Sequence, residues 1–231
     1  MPKALLLMVG ADTGNAGARS PIFADGSFEY IPITEDYPST ERRTYSTIIG
    51  RKGKPLADYL PFSVRNKPVH YDPEYETFTY GDPTIKREYL LELEPGDLLV
   101  FFSPMEPNQN SKYEDGRYIT GYFTIKEIAK ASHEREADMR AKYPNNSHCK
   151  RIEWDRQLII AVGDPDKCKL LDKAIKISEK TTNSANQLDY VLTDSICKLL
   201  GLVKKSIKRS ATKLFVDDKH LQNLKKMLGI E

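Results

Sequence analysis

The chain is short of cysteine, holds a single tryptophan and has no long apolar run, and each shortage removes a class of protein. Cys149, Cys168 and Cys197 are scattered and odd in number, so they form neither a disulfide framework nor a zinc-finger spacing. A lone cysteine of this kind is more often a small buried apolar residue than a nucleophile. No stretch approaches the roughly 20 apolar residues that span a bilayer. The opening Met1-Pro2-Lys3 and the short apolar strand after it carry no small-residue cleavage site, so no signal peptide is read. A cytoplasmic protein with no membrane partner is expected. Charge of one sign is lacking too: the net charge is +2, which by itself says nothing about nucleic acid. Nor is there an internal repeat or a linker of flexible composition. With 39% hydrophobic and 29% charged residues, the composition suits a globular protein. Its high Lys, Glu, Ile and Tyr usage hints at a thermophile.

The pattern reads as a single α+β domain over 1–231, with a mixed or barrel-like β-sheet core, strand-rich over 1–162 and helical over 163–231. Expected strands are Ala4–Val9, Phe28–Ile33, Asp97–Phe102, Arg117–Ile125 and Gln157–Val162, separated by Pro- and Asp-rich turns. Glu127 to Lys142 reads as a helix stopped by Pro144. Asp164-Pro165 resembles a helix start, and Leu170, Leu171, Ala174 and Ile175 give a short apolar stripe. Thr193 or Asp194 predicts a cap for a helix ended by Gly201, and Asp217 or Asp218 a cap for a last helix ended by Gly229.

The richest local signal is the loop from Gly10 to Gly26, which holds Asp12, Gly14, Gly17, Arg19, Ser20 and Asp25 behind an apolar strand. Glycines let backbone approach a ligand, and exposed N–H groups can face an anion. A dinucleotide fingerprint is excluded, because Ser20-Pro21 follows where a helix would have to open. No Lys-Ser or Lys-Thr pair makes it a P-loop. The loop is either a ligand-binding connection or a glycine-rich β connection without a ligand.

Two further clusters carry chemistry. His70, Asp72 and Glu74, followed by Asp82, offer groups for acid–base work or a metal. No helical His-x-x-x-His spacing supports a metal, and none is assigned. Pro95-Gly96-Asp97 launches an apolar strand, and Gly121 punctuates an aromatic one. That pair resembles the small PUA, ASCH and EVE β-barrels, whose mouth faces a base; the plain alternative is an ordinary hairpin. Between Lys198 and Lys213 lies a basic run without acids, including Lys204, Lys205, Lys208 and Arg209. It reads either as a phosphate-binding patch or as a solvated lysine face. Tyrosines interleaved with Arg42, Arg43, Arg51, Lys52 and Lys54 suit either base stacking or strand packing. Trp154 reads as core.

Taken in order, Gly10-Ala11-Asp12, Gly14, Gly17, Ser20-Pro21-Ile22-Phe23, Asp25-Gly26, His70-x-Asp72-Pro73, Pro95-Gly96-Asp97 and Leu171-Asp172-Lys173-Ala174-Ile175 resemble the nucleotide modification associated domain of the third type. The resemblance runs over nearly the whole chain, with a tyrosine-rich departure around Tyr37 to Tyr59. It implies a domain found alongside DNA or nucleotide base modification, and makes Asp12, Ser20, Asp25, His70, Asp72 and Asp97 candidates for one shared site. Asp25 and Asp97 read equally as turn formers.

Three functions compete. The first is a nucleic-acid or nucleotide-binding domain whose pocket joins the glycine loop (Gly14, Gly17, Arg19, Ser20, Asp25, with Asp97) to the His/Asp motif, with Lys204, Lys205, Lys208 and Arg209 on phosphates. The second is an enzyme acting on a nucleotide or modified base through Asp12, His70 and Asp72. The third is a structural or partner-binding protein with no nucleic-acid role.

Overall fold

A computed structural model describes residues 3–209 and 213–230. Met1, Pro2 and positions 210–212 within the basic run lie outside the described residues. The first half runs β1 (Ala4–Met8), α1 (Thr13–Ala16), β2 (Ser20–Ile22), β3 (Ile33–Thr34), β4 (Val69–His70), β5 (Thr79–Asp82), α2 (Lys86–Leu90) and β6 (Leu98–Pro107). It continues through β7 (Gly116–Lys130), α3 (Glu136–Lys142), α4 (Ser147–Lys150), β8 (Ile159–Gly163), β9 (Lys169–Lys176), β10 (Ser178–Thr182), β11 (Leu188–Leu192), α5 (Asp194–Leu200), β12 (Leu214–Val216) and α6 (Asp218–Leu228).

The architecture is α+β around a mixed sheet of eight strands. Six of them lie side by side in the order β12-β1-β6-β7-β8-β5, with β2 added on β6 and β9 on β7. β1 and β6 are parallel; β12 and β7 flank them antiparallel. The path stays open between β12 and β5, so the barrel-like alternative is not the one taken. β1 is apolar at every position because it is paired on both edges and covered on both faces, and all five residues are buried. Asp97 sets the turn into β6: its carboxylate accepts from the backbone N–H of Lys3 and of Glu94, beside Gly96 at φ +93°. The main apolar cluster draws on residues from Ala4 to Leu228. At its centre the rings of Tyr75, Tyr80, Phe101 and Phe123 meet, mostly edge to face.

Three local expectations change. The stripe from Leu170 to Ile175 is strand β9, because pairing of Ile119 with Ile175 and of Gly121 with Leu170 outweighs a weak helical pattern. The helix expected from Glu127 begins at Glu136, since β7 runs on to Lys130 against β8. Of the strand expected over Phe28–Ile33, only Ile33 is in a strand, β3; Phe28 makes a single bridge to Ile22, and the N–H of Ile31 is taken by the Ser20 hydroxyl. Beyond β9 the last third also holds the β10–β11 hairpin and β12. Its helices end as expected: Thr193 caps α5, Asp217 caps α6, and Gly201 and Gly229 adopt left-handed backbone at their C-termini.

Among the described residues no helix is long and apolar enough to cross a membrane. Burial pushes the thiols of Cys149 and Cys168 up to about 12, which leaves them protonated and inert at neutral pH.

Candidate functional site

At the end of β1 the chain enters a cleft of about 1050 Å³. Its wall includes Gly10, His70, Asp72, Lys86, His148 and Arg209. His70 lies on β4, opposite Ile33 of β3, which brings the following Glu35 against it. The Glu35 carboxylate accepts from His70 Nδ1 at 2.6 Å and from Arg151 Nη2 at 3.0 Å. Asp72 follows two residues later, and its carboxylate accepts the backbone N–H of Gly81, on β5, at 3.1 Å. Glu74 takes no part: its buried carboxylate accepts the backbone N–H groups of Glu76, Thr77 and Thr79 and builds the turn into β5. Asp82 accepts from Thr84 and from Tyr80 Oη on the cleft wall.

His148 completes the cluster from a distant part of the sequence. It sits in α4, whose cap Asn146 accepts the His148 N–H and donates to Thr79 Oγ1. His148 Nε2 is 3.5 Å and His70 Nε2 is 3.8 Å from Asp72 Oδ2. The two imidazoles stand nearly perpendicular with centroids 4.7 Å apart. Gly81 makes this possible, because a Cβ there would lie 2.8 Å from His148 Cδ2. Burial disfavours the charged form of both rings. At His70 the carboxylates of Asp72 and Glu35 outweigh burial and hold its pKa above the usual value; at His148 burial prevails and the pKa is lowered. The same burial thus acts on both rings, and the carboxylate facing His70 on its second side sets the two apart.

The facing wall is cationic. Lys86 Nζ donates to the Met8 carbonyl at 3.2 Å, and Arg209 donates to the Gly10 carbonyl. Burial, helped by nearby Arg209, lowers the Lys86 ammonium to about 8. Tyr37 is exposed at the rim, with the Arg151 guanidinium 4.2 Å from its ring centre. Trp154 packs against a small apolar cluster and also lines the cleft.

The cleft brings together His70, Asp72, Asp82 and Arg209 from the residues singled out in the sequence; Asp12, Gly14, Gly17, Arg19, Ser20, Asp25 and Asp97 lie outside its lining. Asp12 caps α1 and pairs with Arg19 and Arg117. Arg19 also reaches Asp115 and Tyr190 Oη. Gly14 lies within α1, and Gly17 ends it at φ +71°. Asp25 closes a turn on Ser27 and pairs with Lys52. Lys204 pairs with Glu179 and Asp194, Lys205 donates to the Lys213 carbonyl, and Lys208 lies 3.8 Å from Asp189. Of the tyrosines offered for stacking, Tyr30, Tyr45 and Tyr80 are buried. Sequence reasoning missed Glu35, Lys86, His148 and Arg151, which carry no recognisable spacing to His70.

A family model described as nucleotide modification associated domain 3 matches residues 3–223. No curated protein and no solved structure matches the chain.

Proposed function

Because the chain belongs to the nucleotide modification associated domain 3 family, we propose that its cleft binds a single nucleotide or one extruded base. The carrying observation is that His70 and Asp72 share one cleft with Lys86, Arg151 and Arg209. In this reading the phosphates face Lys86 and Arg209, and the base lies toward Tyr37 and Trp154. His70 and Asp72 lie on the wall that the bound group meets. The volume of about 1050 Å³ suits one nucleotide, since small-molecule sites run to about 1000 Å³. Lys204, Lys205 and Lys208 lie outside the cleft lining, so phosphate recognition is given to the cations that line it.

Calorimetric titration with nucleoside mono-, di- and triphosphates tests this. Lys86→Met is expected to weaken binding about 10- to 100-fold, the loss of one charged hydrogen bond of about 1.5–3 kcal/mol. Affinity is also expected to fall as pH rises through about 8, where Lys86 loses its proton, while the phosphate charge no longer changes. Binding indifferent to both changes, or no nucleotide binding at all, would overturn the reading.

A further inference from the structure

We propose that His70, Asp72 and His148 hold a divalent first-row transition-metal ion through Nε2, Oδ2 and Nε2. One donor atom from each lies within 4.8 Å of the others, and all three residues are buried. Among the described residues this is the group of histidine and carboxylate donors that converges so closely. The 3.5 and 3.8 Å separations from Asp72 Oδ2 are too long for N–H···O hydrogen bonds, which fall at about 2.7–3.2 Å. They approach the roughly 3.3 Å between ligand atoms bonded at about 2.0–2.1 Å around a tetrahedral ion.

The surroundings fit the same purpose. Glu35 engages His70 Nδ1 at 2.6 Å, which orients the ring and turns Nε2 toward Asp72. A carboxylate behind a histidine ligand is a common support for a metal. The Gly81 N–H fixes the Asp72 carboxylate, and the missing side chain of Gly81 leaves room for His148. Glu35 and Asp72 bring two negative charges against the one positive charge of Arg151, which pairs with Glu35 at 3.0 Å and lies 3.3 Å from His148 Nδ1. Glu35 thus answers Arg151, and the Asp72 carboxylate is the charge that faces the two Nε2 atoms. All three donors line the cleft, so a bound ion keeps coordination positions open to water or to a ligand. Two imidazoles and one carboxylate select zinc, manganese, iron or cobalt; magnesium and calcium prefer all-oxygen shells.

Metal uptake stands apart from nucleotide binding, and either can fail alone. The test is titration of the tag-free chain with Co²⁺, followed by visible absorption and by thermal unfolding. One equivalent is expected to give d–d bands and a higher Tm, and Zn²⁺ is expected to displace it. His148→Gln and Asp72→Asn, each checked for folding by circular dichroism, are expected to abolish the bands. Glu35→Gln is expected to weaken uptake about 10- to 100-fold. The double variant His133→Ala, His220→Ala, whose histidines lie outside the cleft lining, is expected to behave as the parent. No bands and no Tm rise in the parent chain would overturn the proposal without recourse to any variant. So would bands that survive in folded His148→Gln and Asp72→Asn, or that vanish in the double variant.

Discussion

Glu35→Ala is expected to lower the unfolding free energy by about 3–5 kcal/mol, the cost of removing one partner from a buried ion pair. The Glu35 side chain is 1% exposed and touches His70 on one side and Arg151 on the other. Its loss leaves the buried His70 imidazole without its nearest carboxylate and frees a guanidinium held by both Nε and Nη2. Glu35→Gln keeps the shape and one acceptor, so a smaller loss of about 1–3 kcal/mol is expected. Urea unfolding monitored by fluorescence measures both, provided the denaturant dependence stays constant. The pH dependence gives a second reading. Burial pushes the Glu35 carboxyl up, but His70 and Arg151 outweigh it and hold the group at about 2, below its ordinary 4.5. A carboxyl depressed on folding stabilises fully above its unfolded value and loses that contribution as pH falls. The parent chain is therefore expected to lose stability from about pH 4.5 toward 2 more steeply than Glu35→Gln. Equal acid limbs in the two proteins would contradict this.

Phe101→Ala is expected to cost about 3–5 kcal/mol, which for a chain of this size lowers Tm by roughly 6–20 °C. Phe101 is fully buried on β6, between β1 and β7, and its ring meets Tyr75, Tyr80 and Phe123. Truncation opens a cavity beneath Tyr80, whose hydroxyl lies 3.3 Å from Asp82 and 3.4 Å from Lys86. Phe101→Leu refills most of that space and is expected to cost less. Differential scanning calorimetry compares them. A Tm within a degree of the parent for Phe101→Ala would show that the ring cluster carries little of the stability.

Legibility in the sequence followed the strength of local pattern. β1, the start of β6 and β8 were readable because buried strands leave apolar runs, the first part of β7 because aromatic and β-branched residues crowd Tyr118–Ile125, and the caps of α5 and α6 because Thr193, Asp217 and their closing glycines are local chemistry. β9 was not, because its strand identity comes from pairing with β7 rather than from its own alternation. The β10–β11 hairpin escaped for a similar reason: most of its residues face solvent, and its turn is set by the Asn183 side chain accepting from Ala185 and Gln187. At the site, His70 and Asp72 stood out as a compact motif. Glu35, His148 and Arg151 did not, since only β3–β4 pairing and the seating of α4 against β5 bring them together. The glycine loop drew attention for residues that mostly serve α1 and its ion pairs; its first glycine, Gly10, reaches the cleft.

The most direct test of the central claim is a nitrogen-15 spectrum of the histidine side chains, recorded while a nucleoside phosphate is added. The chain has four histidines: His70 and His148 line the cleft, and His133 and His220 do not. At saturation the imidazole signals of His70 and His148 are expected to move while those of His133 and His220 stay fixed. Saturable binding that leaves His70 and His148 unmoved would place the nucleotide elsewhere and contradict the account.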